Sequence, residues 1–180
     1  MSSLSVYHVS TPDLPYKVLT HFDDIAATLA EQGVRFDRWQ PAASIAAGAC
    51  QEDIVAAYSH GIDSLMTERG YTSLELIRVT GDNPEEAERH ARLLAEHSQD
   101  VEEARFFVTG RGLFALHIGD YVYAVLCEKN DLIMLPAGMA RWFDMGEQPH
   151  FIALRLSSAQ GGEMRFSGDD IASRFPRLED

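Results

Sequence analysis

The chain has 180 residues, 46% of them hydrophobic and 24% charged, a balance that fits one folded domain spanning 1–180 with a substantial core. Fifteen basic residues against 28 acidic ones leave a formal net charge of −13. Such a surface repels phosphate backbones and anionic lipid heads, so neither nucleic acid nor a membrane is expected as a partner. No apolar run approaches the roughly 20 residues needed to cross a bilayer, and the opening MSSLSVYHVSTPDLP has no basic stretch leading into an apolar core. A secretory signal is therefore not expected, and a cytoplasmic location is.

Leu4–Val9 is short, apolar and roughly alternating, which predicts a first strand. In His21–Gln32, Phe22, Ile25, Ala26 and Leu29 recur at helical spacing and share one face, with Thr20 the candidate N-cap and Gly33 the stop. Val34–Trp39 suits a short strand. Asp53–Arg69 reads as one long helix with an apolar stripe from Ile54 to Met66, interrupted only by Gly61. Leu74–Val79 is a strand, and Asp82-Asn83-Pro84-Glu85-Glu86 opens a helix that ends near Glu96, with proline and carboxylates placed where a helix start favours them. From Ala104 the pattern changes. Ala104–Thr109, Gly112–Ile118, Tyr121–Cys127, Leu132–Leu135 and Phe151–Leu156 are short strands parted by turn signals, as in a barrel or sandwich. A short helix over Ile171–Phe175 closes the chain. Cys50 and Cys127 are the only cysteines; they make no disulfide framework, and Cys127 is most simply a buried small hydrophobe.

Two stretches carry chemistry. His97, Gln99, Glu103 and Gly110 follow the pattern H-x-Q-x3-E-x6-G, and Pro136, Gly138 and Arg141 follow P-x-G-x2-R. On an extended segment residues i and i+2 face the same way, so His97 and Gln99 aim together while Glu103 returns on the adjoining strand. A set of imidazole and carboxylate suits a divalent first-row metal with positions left open for substrate. His117 reads as a satisfied core residue, and His150 falls before Phe151–Leu156 without a neighbour at ligand spacing.

These two stretches resemble the paired motifs of the cupins, which implies an α+β fold: a cupin-type β-barrel (jelly roll) with added N-terminal helices. The resemblance narrows further. Glu103-x-Arg105-Phe106-Phe107-Val108, Leu116-His117-Ile118-Gly119-Asp120, Trp142-Phe143-Asp144-Met145-Gly146 and Gly168-Asp169-Asp170-Ile171 are similar to the acireductone dioxygenase family. That resemblance implies methionine salvage chemistry: a small enediol metabolite cleaved with dioxygen on iron or nickel. It aligns His97 and Glu103 with two metal ligands, Arg105 with an arginine near the substrate and Phe143 with a pocket aromatic. Gln99 and Arg141 fall where two further ligand histidines stand, and Leu93 and Gly162 where two further aromatics stand.

A glutamine amide is a poor ligand for iron or nickel, and a guanidinium has no lone pair to give. The expectation is therefore a metal-free pocket, in which Arg141 takes the cation's place and forms a two-pronged bond with Glu103. Arg141 and Arg105 then hold an anionic or enediolate substrate, and His97 serves as acid or base. Two alternatives stay open: a metal-dependent dioxygenase with an atypical His97/Gln99/Glu103 shell, and a non-catalytic binding protein.

Overall fold

One strand ties the molecule together. In the computed structural model, which describes residues 1–46, 48–158 and 162–179, the stretch Glu103–Ile118 is continuous and passes from one sheet into another. Among the described residues eleven strands occur in chain order: β1 (Ser3–His8), β2 (Lys17–Leu19), β3 (Arg35–Arg38), β4 (Ser73–Val79), β5 (His97–Gln99), β6 (Glu103–Ile118), β7 (Tyr121–Glu128), β8 (Asp131–Leu135), β9 (Ala140–Asp144), β10 (Phe151–Ser157) and β11 (Met164–Phe166). The first sheet runs β11-β5-β9-β6-β7-β1-β2. The second places β6 between β10 and β8, with β4 beyond β10 and β3 beyond β8. All of these pairings are antiparallel. The result is a cupin jelly roll whose sheets keep open edges rather than closing into a full barrel.

The two strands expected on either side of Gly110 are thus one. Up to Thr109 and Gly110, β6 pairs with β10; from Arg111 it pairs with β7, and it changes sheet between. Two features bend it there. The β10 register shifts between Ile152 and Ala153, and Gly110 adopts φ +75°. A Cβ on Gly110 would lie 2.1 Å from the His150 carbonyl oxygen, so the bend needs both the conformational freedom and the missing side chain of glycine.

Strand pleating sorts the side chains. Phe107, Phe114, Phe143 and Phe151 fill the space between the sheets with Leu4, Val6, Ile77 and Val79. The alternate positions Ala104, Phe106 and Val108 face outward into a second cluster. Helices α2 (Gln51–Ala57) and α3 (Ser59–Arg69) cover that outer face. The single helix expected here is broken at Tyr58, which leaves helical geometry at φ −112°, ψ 17°. Its ring packs on Phe106 and its hydroxyl donates to Asn130 Oδ1 at 2.9 Å, anchoring the break to the sheet. Gly61 lets α3 pass close to Trp39, whose ring would stand 2.6 Å from an added Cβ. Helix α1 (Phe22–Glu31) buries Ile25 and Leu29 as its spacing predicts, but His21, not Thr20, occupies the N-cap and makes no side-chain cap bond. Helix α4 (Pro84–Ala91) and a 3-10 turn over Arg92–Leu94 lead into β5. No helix among the described residues is long and apolar enough to cross a membrane.

Candidate functional site

The two motifs meet at the end of the sandwich where β6 begins. His97 on β5 is the direct cross-strand partner of Arg141 on β9. The loop before β9 is tied to the same strand, because the Gly138 N–H donates to the Gln99 carbonyl at 2.8 Å. On β6 the inward face carries Glu103, Arg105 and Phe107 in alternation, and on β9 it carries Arg141 and Phe143.

Glu103 is 2% exposed and lies among three guanidinium groups. Arg141 Nη1 donates to its Oε1 at 3.3 Å. Arg155 Nε, from β10, donates to its Oε2 at 2.5 Å. Arg105 Nη2 stands 3.9 Å from the same Oε2. Burial alone would raise the Glu103 carboxyl pKa, but the charges of Arg105, Arg155 and Arg141 reverse this and hold it at about 2. The group is an anion at any physiological pH.

The two-pronged bond expected between Arg141 and Glu103 does not form. Arg141 gives Glu103 one nitrogen and uses the others on its own loop, with Nη2 donating to Pro136 O at 2.7 Å and Nε to Met139 O at 3.0 Å. Arg155 takes the second carboxylate oxygen instead. Arg141 is fully buried, so it sits behind Glu103 rather than in a wall that a substrate could touch.

His97 is also buried and donates Nδ1–H to the Ala95 carbonyl at 2.8 Å. A carbonyl can only accept, so the proton sits on Nδ1 and the lone pair on Nε2. Burial lowers the His97 pKa; the bond to Ala95 opposes this, and the charge of Arg141 adds to the lowering. The ring is therefore neutral near pH 7 and suited to accept a proton rather than to give one. His117, read as a satisfied residue, bonds through Nδ1 to Glu96 Oε2 at 2.6 Å.

A cavity of about 490 Å³ opens beside this cluster. Arg105 and Arg155 line it from one sheet, Gln99 and Met164 from the other, and Arg89, Arg92 and Leu93 from α4 and its turn. Two of these side chains hold buried polar atoms with no hydrogen-bond partner among the described residues: Gln99 Oε1 and Arg105 Nε. Leu93 and Gly162, the positions matched to pocket aromatics, both border the cavity. Phe143 does not. It packs against Phe114, with ring centroids 4.5 Å apart, inside the phenylalanine cluster of the core. Among the described residues no three His, Cys, Asp or Glu side chains are grouped as a metal site.

A sequence model described as the ARD/ARD′ family matches residues 6–164. The chain belongs to the ARD/ARD′ family. It is 64% identical to a protein named acireductone dioxygenase from Pseudomonas fluorescens (strain Pf0-1), over 181 aligned residues that cover all of both chains. It is 62% identical, with the same coverage, to one of the same name from Pseudomonas syringae pv. syringae (strain B728a). The fold matches a solved acireductone dioxygenase from Bacillus anthracis, described as holding a cadmium ion in its active centre. The TM-score is 0.77 at 23% identity, covering 90% of this chain and 95% of that one.

Within this member of the ARD/ARD′ family, the sequence motifs point to His97, Gln99, Glu103, Arg105 and Arg141, and the fold brings all five together. They miss Arg155, which belongs to neither motif. Its signal was nonetheless present. Phe151, Ala153 and Arg155 alternate on one face of β10, so an apolar inward row ends in a charge. Arg89 and Arg92 gave no comparable signal, because they read as part of an ordinary solvated helix.

Proposed function

We propose that this chain is an acireductone-dioxygenase-like protein that binds a small enediol or carbonyl metabolite without the iron or nickel chemistry of its family. The observation that carries this reading is the Arg141 guanidinium on Glu103 at 3.3 Å. Of the four positions matched to metal ligands, only His97 and Glu103 bear good donors; Gln99 offers a neutral amide, and Arg141 brings a fixed charge and no lone pair. Two unit charges about 4 Å apart repel by roughly 4 kcal/mol at an effective dielectric of about 20, and a divalent ion doubles this to about 8 kcal/mol. This donor set does not fit the family's metal.

The residues present support a different chemistry. The enediolate oxygen is held by Arg105 and Arg155 at the cavity wall. His97, neutral with its lone pair on Nε2, is the proton acceptor of this reading, reached through a water because it does not itself line the cavity. Elemental analysis of the purified protein tests the reading: iron and nickel stay well below one per chain, and Gln99→His combined with Arg141→His raises nickel to one per chain. Stoichiometric iron or nickel in the parent protein would overturn it. If the metal-free protein binds but never turns over any enediol or carbonyl substrate, it is a binding protein of the same fold.

A second reading has one observation in its favour. Gln99 Oε1 is buried without a hydrogen-bond partner, as expected of an oxygen awaiting a cation. In that reading His97, Gln99 and Glu103 form an atypical shell for a metal-dependent dioxygenase, and Arg141 must leave Glu103. The same elemental analysis separates the two.

A further inference from the structure

The charges around the cavity do not balance, and the surplus has a definite size. Glu103 is the one carboxylate in ion-pair reach of Arg105, Arg141 and Arg155 among the described residues, and both its oxygens are engaged. Arg105 and Arg155 are moreover direct cross-strand partners on β6 and β10, an arrangement in which like charges oppose one another. At the mouth Arg89 pairs with Glu86 at 2.9 Å. Glu75 on β4, exposed at the rim, lies directly across from Arg155, and its charge also acts on Arg105, while Arg92 lines the rim with no ion-pair partner among the described residues. Two positive charges therefore remain over around the cavity, one in the cluster about Glu103 and one at the rim on Arg92, within a chain whose net charge is −13.

The buried part of that surplus is costly to maintain unless something anionic completes it. An enediolate supplies one negative charge, which leaves half of the surplus. A phosphate monoester carries close to two near neutral pH, because its second pKa is about 6, and its oxygens suit arginine forks. The free polar atoms point to what the rest of such a ligand must offer. Arg105 Nε needs an acceptor, and Gln99 Oε1 needs a donor. A hydroxycarbonyl group carries both.

We propose that the cavity between Arg105, Arg155 and Gln99 binds the phosphate monoester of a small hydroxycarbonyl compound, with phosphate as well as hydroxycarbonyl inside the arginine-lined space. This rests on the metabolite-binding reading above and narrows its ligand. It does not depend on the absence of a metal.

Calorimetric titration of the full-length protein at pH 7.5 and low salt tests it, with dihydroxyacetone phosphate as the probe and dihydroxyacetone, inorganic phosphate and malonate as comparators. Dihydroxyacetone phosphate is expected to bind at least about tenfold more tightly than any of the three, the scale of one desolvated charge contact. Arg105→Gln removes that advantage. Because Arg105 is buried and its loss can unfold the chain, Arg92→Glu at the exposed rim is the second variant. It keeps the fold, shown by an unchanged circular dichroism spectrum, and weakens the probe while leaving neutral dihydroxyacetone unaffected. Equal affinity for the phosphorylated and neutral compounds, tighter binding of malonate, or no heat from the probe in the folded parent would overturn the proposal. Elemental analysis bears on the metal-free reading alone, so the two can fail separately.

Discussion

Replacing Arg141 by methionine keeps an apolar stem of similar length and removes the guanidinium. Three acceptors then lose a donor: Glu103 Oε1, the Pro136 carbonyl and the Met139 carbonyl. Breaking one side of a buried ion pair costs about 3–5 kcal/mol. Glu103 keeps Arg155 at 2.5 Å and Arg105 at 3.9 Å, which softens that term, while the orphaned carbonyls add about 1–3 kcal/mol each unless water reaches them. A net loss of about 4 kcal/mol is expected, equivalent for a chain of this size to a fall in Tm of roughly 8–16 °C. Arg141→Lys recovers only part of it, since one ammonium cannot reach three acceptors set out for a planar fork. Urea unfolding followed by circular dichroism measures the loss. A decrease below about 1 kcal/mol with an unchanged denaturant slope would show that Arg141 is not seated on Glu103 and its own loop, and the metal-free reading would lose its support.

Two further outcomes follow from the same geometry. Glu103, held at about 2 against an ordinary value of 4.5, contributes stability that is present in full above pH 4.5 and lost as pH falls toward 2; the shift corresponds to about 3 kcal/mol. His97 acts in the same direction earlier, because its lowered pKa lets the unfolded chain take up a proton below about 6.5 that the folded chain refuses. Unfolding titrations at pH 7, 5 and 3 should therefore show falling stability, with the lowest-pH part flattened in Glu103→Gln; equal stability at pH 7 and pH 3 would refute the cluster's charge assignment. Gly110→Ala is expected to cost more than about 2 kcal/mol, combining about 1–2 kcal/mol for a left-handed backbone with displacement of the His150 carbonyl, and a neutral result in thermal melts would mean that β6 does not bend there.

The sequence was most legible where one residue's neighbours fix its environment. The alternation through Ala104–Thr109 assigns Phe106 and Phe107 to opposite faces, and they pack in separate clusters. The paired motifs place His97 and Arg141 side by side. Less was legible where distant strands decide. Gly110 reads as a turn in isolation, but His150 on the neighbouring segment makes it a bend in one long strand. Tyr58 lies inside an unbroken helical pattern, and its tie to Asn130, 72 residues on, interrupts it. Phe143 carries a pocket residue's motif, yet the core phenylalanines enclose it. Arg155 enters through the β10 pairing with β6, a tertiary fact that no local window contains.

The positive charge facing Glu103 is welded to the polypeptide. It is present from the moment the chain folds, owes nothing to the supply of trace elements in the surroundings, and neither dialysis nor a change of oxidation state can withdraw it. Under the metal-free reading proposed above, a cell starved of nickel or iron would leave this centre as it was, and only a change in the gene would alter what neutralises that carboxylate.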